Sequence, residues 1–206
     1  MNVIYIANDA TSCYDRILLM VAYLTMRNYG IPQYAAQSSI ETIFEMEHFI
    51  RTAYGDSEDY YGGAQWEVRP HRVGQGNGYA PAIWAGISSL LLKAMRDKGY
   101  GTRITSPISR VFLHMAGYSF VDGTDLIETS KPNETWEDLF QRTQQGLELW
   151  ECLLRTTGGA IEPTQSHWVQ IFHHWKSEKA SLEKPKPEET LRLRDPDGNI
   201  MHLEQV

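Results

Sequence analysis

The sequence predicts an α+β domain in which an antiparallel sheet carries helices packed on one face, with a β-hairpin appended at the C-terminus. Three observations predict it. Asn2-Val3-Ile4-Tyr5-Ile6-Ala7 is a short β-branched and aromatic run of the kind that forms a central strand. Arg110 to Ala116 and Leu126 to Thr129 are two more strand-like runs, and the Asp122-Gly123 pair between them favours a tight hairpin with an acid at its tip. From about Glu134 to Thr156, Trp136, Leu139, Phe140, Leu147, Trp150, Leu153 and Leu154 recur at helical spacing, with Gly158-Gly159 beyond the end.

The chain has 206 residues, of which 42% are hydrophobic and 22% charged, enough for one domain with a proper core. No apolar run reaches the roughly 18 residues that span a bilayer, and the N-terminus lacks the basic start and cleavage site of a secretory signal. A soluble, intracellular protein without a membrane partner is expected, with nucleus and cytoplasm not distinguished. Cys13 and Cys152 show no CxxC spacing, which argues against a disulfide scaffold or a structural zinc site. A net charge of −7 opposes non-specific attraction to a polyanion. A nucleic-acid enzyme can still be acidic where a groove is locally basic or a bound metal offsets its carboxylates.

In chain order, Asn8 and Asp9 end the first strand. Thr11 or Ser12 could cap a helix carrying Ile17, Leu18, Val21, Leu24 and Thr25, which Gly30-Ile31-Pro32 stops. A second helix is expected from Gln33 to about Met46. Glu47 to Tyr54 reads as a strand, Gly55 to Gly63 as an acidic turn region and Ala64 to His71 as the returning strand. Gly74-Gln75-Gly76-Asn77-Gly78 precedes an apolar helix from Ala82 to about Lys98. It fits neither GxGxxG nor GxxxxGK[ST], so by spacing alone it is a loop that lets backbone pass close to a neighbour. Short strands are expected between Ile161 and Trp175. His173-His174 in a strand point to opposite faces, a poor arrangement for one metal.

Asp9 and Asp122 each follow a predicted strand, and neighbouring strand ends can bring two carboxylates together. Unpaired acids would repel, and a divalent cation between them removes the conflict. Spacing leaves the simpler reading open, in which Asp122-Gly123 is turn chemistry alone.

Three segments in order resemble the palm of a reverse transcriptase, the RNA-directed DNA polymerase of non-LTR retroelements and group II introns. Asn8-Asp9-Ala10-Thr11-Ser12-Cys13-Tyr14-Asp15 is similar to the family's motif A. Gly74-Gln75-Gly76-Asn77-Gly78-Tyr79-Ala80-Pro81 resembles motif B, a Gln-Gly followed by a proline and a helix. Phe120-Val121-Asp122-Gly123 takes the place of motif C, an aromatic-x-Asp-Asp hairpin. The similarity runs from Val3 to Trp168. It implies a palm-like sheet in which Asp9, the Ala10 carbonyl and Asp122 hold two Mg²⁺ or Mn²⁺ ions for nucleotidyl transfer. By the same resemblance Tyr14 excludes a 2′-hydroxyl, Gln75 and Gly76 line the nucleotide and template, and Asp15 and Arg16 are structural. An RNA template, a DNA primer and deoxynucleotides are the implied partners.

The chain departs from that pattern in places. Gly123 stands where the family has its second motif C aspartate, and Asp125 lies two residues on, away from the tip. Gln165 occupies the place of the motif D lysine. The chain begins just before motif A, without a basic fingers segment, and the tail is short for a thumb. The expected organisation is a palm-like domain over 1–176 with partial fingers at 33–73, a Lys/Glu/Pro linker over 177–190, and a hairpin over 191–206 packed on the main sheet. An incomplete and catalytically impaired copy follows. The alternative is a non-catalytic nucleic-acid or protein interaction domain on a palm scaffold. A metal-dependent phosphodiesterase using Asp9, Asp122 and the histidines is a third.

Overall fold

The computed structural model describes residues 2–63, 72–74, 76–176, 179–182 and 190–206, with backbone alone for 173–176 and 179–182. Strand β1 (Val3–Asn8) alternates half-buried and buried positions, so that Ile4, Ile6 and Asn8 point inward. The first predicted helix is two helices, α1 (Cys13–Arg16) and α2 (Leu19–Asn28), separated by extended backbone at Ile17 and Leu18. No side chain caps α1. Because the break shifts the phase, α2 buries Leu19, Ala22, Thr25 and Met26, while Leu18 and Leu24 face outward. Helix α3 (Gln33–Phe44) follows Pro32.

The next hairpin differs from expectation. Strands β2 (Glu47–Thr52) and β3 (Gly55–Gly62) pair directly, so the acidic stretch read as a turn is itself the returning strand. Chain reversal occurs at Ala53-Tyr54, beside a positive φ at Gly55, and Arg51 pairs with Asp56 across the two strands. The expected strand Ala64 to His71 lies outside the described residues.

Helix α4 (Ala80–Asp97) has Pro81 in its first turn, where a missing N–H costs nothing, and buries Ile83, Trp84, Ile87, Leu91 and Met95. Strands β4 (Thr102–Thr105) and β5 (Phe112–Met115) form a separate hairpin. Then come β6 (Gly117–Phe120) and β7 (Gly123–Thr129). Their loop is Val121-Asp122, with Phe120 opposite Gly123, so the glycine begins the strand and is not a turn residue. Helix α5 (Trp136–Thr156) starts with a reciprocal capping box between Thr135 and Asp138. Leu139, Leu147, Trp150 and Leu154 lie on its buried face, while Trp136, Phe140 and Leu153 pack partly against the core.

Strand β8 (His167–Ile171) follows a short 3₁₀ turn at Pro163–Gln165. Strands β9 (His173–Lys176) and β10 (Lys179–Leu182) pair with each other, so part of the stretch read as a linker is a strand. Near the end are β11 (Arg192–Arg194), β12 (Ile200–His202) and β13 (Glu204–Gln205).

The main sheet has the order β13-β8-β1-β7-β6, antiparallel except for the parallel pairing of β13 with β8. Its helix-covered face carries Ile4, Ile6, Leu126 and Trp168, all almost fully buried against α4 and α5. At about 25 cal/mol per Å² of apolar surface this layer dominates the favourable terms. The opposite face carries Tyr5, Tyr118 and Asp125. Of the segment 191–206, the β11–β12 hairpin packs on α5 and β13 pairs with β8 at the edge of the main sheet. Gln144 clasps the Arg192 backbone at 2.8 Å in both directions, and Arg155 donates to the Asp195 carbonyl at 2.8 Å.

Candidate active site

The adjacency of β1 and β7 determines where the two candidate acids lie. Their register pairs Asn8 with Thr124, so the residue after β1 and the residue before β7 emerge at the same end of the sheet. Asp9 and Asp122 line one crevice there, with Asn8, Trp84, Thr124 and Trp150. Burial pushes the Asp9 carboxyl above the ordinary carboxylate range, and the neighbouring Asp122 charge pushes it further. The Ala10 backbone hydrogen bond acts the other way, and Glu162 adds repulsion. Two carboxylates thus face each other without a basic side chain between them, which is the electrostatic situation a cation relieves.

Asp9 is fixed through its backbone. Its N–H donates to Ser166 Oγ at 3.1 Å and its carbonyl accepts from the Glu162 N–H at 2.9 Å. Ala10 is buried and bridges to Ile161. Asp122 sits on the hairpin tip next to Val121, whose φ of 56° is unusual for a β-branched residue.

Tyr14 lies on α1, half-buried, with its hydroxyl enclosed and without a hydrogen-bond partner. Burial raises its pKa above the ordinary value, with smaller contributions from Cys13 and Asp122. The glycine-rich loop meets this segment directly. Gly74 N–H donates to the Tyr14 carbonyl at 3.2 Å, and Val73 N–H to the Ile17 carbonyl at 3.2 Å. Gly76 is exposed with φ of +86° and open space around its α-carbon, so backbone there is accessible to a ligand. Gln75 lies outside the described residues, as do the side chains of His173 and His174. Asp15 and Arg72 connect the same region, with Arg72 Nη1 donating to the Asp15 carbonyl at 3.1 Å.

Asp125 is held elsewhere. It hydrogen-bonds the Tyr5 hydroxyl, which also contacts the Tyr118 hydroxyl at 3.2 Å, and burial together with these partners raises the Tyr5 pKa. In the register Asp125 pairs with Ala7 and so belongs to the face opposite Asn8 and Thr124.

Sequence reasoning gave no role to three neighbours of the acid pair. Cys13 is buried, and its thiol is pushed up to about 12 by burial and by the Asp122 and Asp9 charges. Glu162 accepts from Thr11 Oγ1 at 3.2 Å and from Thr164 Oγ1 at 2.6 Å. Asn8 is 6% exposed, and neither atom of its amide has a hydrogen-bond partner. A signal for Asn8 exists in the sequence, because it continues the Ile4, Ile6 phase of a strand where an apolar side chain belongs.

Among the described residues no group of three or more His, Cys, Asp or Glu side chains is arranged to hold a metal ion. The crevice brings together two carboxylates and the unpartnered amide of Asn8. Larger concavities lie elsewhere. One of about 520 Å³ between α2 and α3 and one of about 490 Å³ beside α2 and α4 are apolar and hold no pair of acids. No helix among the described residues is long and apolar enough to cross a membrane.

No protein-family model matches the sequence, and no characterised protein does. Among solved structures, apo telomerase from Candida tropicalis, truncated from its C-terminal domain, matches 98% of this chain with a TM-score of 0.55 and 11% identity. Telomerase from Candida albicans in complex with the TWJ fragment of telomeric RNA matches 81% of it, with a TM-score of 0.43 and 12% identity. This chain spans 35% of the first and 26% of the second. The likeness is one of fold: this is an α+β chain whose fold is similar to part of that Candida tropicalis telomerase structure.

Proposed function

We propose that the chain is the palm of an RNA-directed DNA polymerase with impaired chemistry. The observation that carries this reading is the convergence of Asp9 and Asp122 at one end of adjacent strands, with Gly74 tied to Tyr14 in the segment that follows Asp9. The order of the three motifs favours the non-LTR retroelement or group II intron kind, and the reaction is the same for either.

In that reaction the 3′-hydroxyl oxygen of a DNA primer bonds to the α-phosphorus of a deoxynucleotide selected by an RNA template. The bond from that phosphorus to pyrophosphate breaks. Asp9, Asp122 and the Ala10 carbonyl would hold a divalent cation, Mg²⁺ or Mn²⁺, which when bound supplies positive charge beside the transferring phosphate. By the resemblance Tyr14 would exclude a 2′-hydroxyl by the bulk of its ring, and Gln75 and Gly76 would serve the nucleotide and template side. Gly123 provides no second motif C carboxylate, and a missing ligand lowers the rate by powers of ten.

That same glycine favours a second reading, a non-catalytic nucleic-acid or protein interaction domain on the palm scaffold. Primer extension on poly(rA) with oligo(dT) separates the two. Gly123→Asp should raise extension over wild type by at least about tenfold, equivalent to 1.4 kcal/mol. Adding Asp122→Asn should abolish the gain. A folded Gly123→Asp protein without extension, both as it stands and with a basic fingers segment supplied, would overturn the polymerase reading.

A further inference from the structure

We infer that the β4–β5 hairpin of one copy of this chain docks on the β2–β3 hairpin of a second copy, head to tail. Both hairpins lie outside the candidate active site, and the inference does not depend on the polymerase reading.

Each hairpin is a two-stranded ladder to which no third strand is added among the described residues, so backbone groups face outward along both edges. Two strands alone bury little, and such a ladder gains stability when something covers it. Both instead expose large side chains. On β4–β5, Ile104 and Leu113 stand opposite each other across the ladder and are about half-exposed, as is Phe112, while Ile108 at the reversal is 93% exposed. On β2–β3, Phe49, Ile50 and Tyr61 are half-exposed or more, with Phe49 against Tyr60 and His48 stacked on Tyr61 at 5.0 Å. Single exposed apolar residues are ordinary, but contiguous ones on open strand edges mark a contact surface.

Charge selects the occupant. Residues 102–115 contain Arg103 and Arg110 and no acid, whereas residues 47–62 contain Glu47, Asp56, Glu58 and Asp59 against the single Arg51. Arg51 already pairs with Asp56 at 2.6 Å. Glu58, Asp59, Arg103 and Arg110 are exposed and form no ion pair among the described residues. A hairpin docked on its own counterpart would set like charges together, whereas crossing the two kinds sets opposite charges together. Neither hairpin covers the other within the chain, so the pairing that satisfies both is between copies. A net charge of −7 disfavours a polyanion as the occupant. Because each copy offers one hairpin of each kind, the contact is heterologous and builds a ring or an open chain.

The test is sedimentation velocity of the full chain, taken up to about 200 μM because a hairpin-sized contact belongs to the small, weak class of interfaces. Wild type should associate with rising concentration, and about 0.5 M NaCl should weaken association at least about threefold, since the paired charges are exposed. Arg103→Glu with Arg110→Glu should stay monomeric, as should Glu58→Lys with Asp59→Lys, and an equimolar mixture of the two variants should form a complex. Variants that had merely lost their fold would not recover association on mixing. Wild type that stays monomeric throughout overturns the inference. So does association of Glu58→Lys with Asp59→Lys at wild-type strength, which would mean that β4–β5 pairs with itself. If wild type is monomeric but binds a labelled oligo(U), and Arg103→Glu with Arg110→Glu abolishes that binding, the hairpin is a nucleic-acid surface and a second copy is not its occupant.

Discussion

Gly123 faces the backbone carbonyl of Asn8, and a β-carbon on it would lie 3.8 Å from that oxygen and 3.6 Å from the Phe120 carbonyl. Both are ordinary contacts, and Gly123 is not among the glycines with positive φ. The fold therefore does not require glycine there. Gly123→Asp is expected to keep the native circular dichroism spectrum, with a slightly lower midpoint in chelator because a third acid joins the pair. Its stabilisation by saturating Mn²⁺ should exceed that of wild type by about 1.4 kcal/mol for each tenfold gain in affinity, measured as the midpoint shift on adding metal.

Asp9 gives a pH signature. Burial and Asp122 raise its folded pKa above the unfolded value, so the native state favours the protonated acid. The stability this gives is present below the unfolded pKa and is lost as pH rises through the folded one. Above that folded pKa, ionising Asp9 in the metal-free protein carries a cost. Asp9→Asn should therefore raise the thermal midpoint at neutral pH, and the gain should shrink as the solution is acidified through the carboxylate range. An equal gain at all pH values would show that charge is not its cause.

That Asp9 and Asp122 lie at one end of the sheet was legible, because the runs of β1 and β7 read as strands and one acid follows the first while the other precedes the second. The sequence could not show that Asp125 is engaged by Tyr5, since that contact depends on the β1–β7 register and on Tyr118 from a third strand. Position 8 was overlooked because an asparagine after a strand reads as a terminator, although its phase with Ile4 and Ile6 places it inward. The acidic stretch after Tyr54 was misread because composition suggested a turn, whereas Arg51–Asp56 pairing and a reversal at Ala53-Tyr54 make it a strand. The C-terminal hairpin expected over 191–206 is present, but its docking on α5 depends on Gln144 and Arg155, which no local pattern marks.

The sheet is joined to α5 through a buried ion pair. Glu128 on β7, 5% exposed, accepts from Arg142 and from the Gly101 N–H at 2.6 Å, while Arg142 also donates to Glu134 at 2.9 Å and to the Thr129 carbonyl at 2.8 Å. Burial raises the Glu128 pKa even against the opposing pull of Arg142. Arg142→Ala leaves that carboxylate enclosed without its cation and should cost about 3–5 kcal/mol in urea unfolding at neutral pH. Lower pH should relieve part of the loss, because protonating Glu128 removes the uncompensated charge. Arg142→Met combined with Glu128→Leu should be less destabilised than Arg142→Ala alone.

Val121 stores strain beside the second acid. A β-branched residue at φ 56° lies in left-handed backbone space, which costs of order 1–3 kcal/mol. The side chain is 51% exposed, so little burial offsets that cost. Asparagine tolerates the conformation without glycine's larger unfolded-state entropy. Val121→Asn is therefore expected to raise unfolding free energy by about 1 kcal/mol. Because the strained turn also orients Asp122, relaxing it should weaken Mn²⁺ binding while the protein becomes more stable. Parallel urea and Mn²⁺ titrations of the one variant check this, and a stabilised protein with unchanged affinity would show that the strain at Val121 does not hold Asp122 in place.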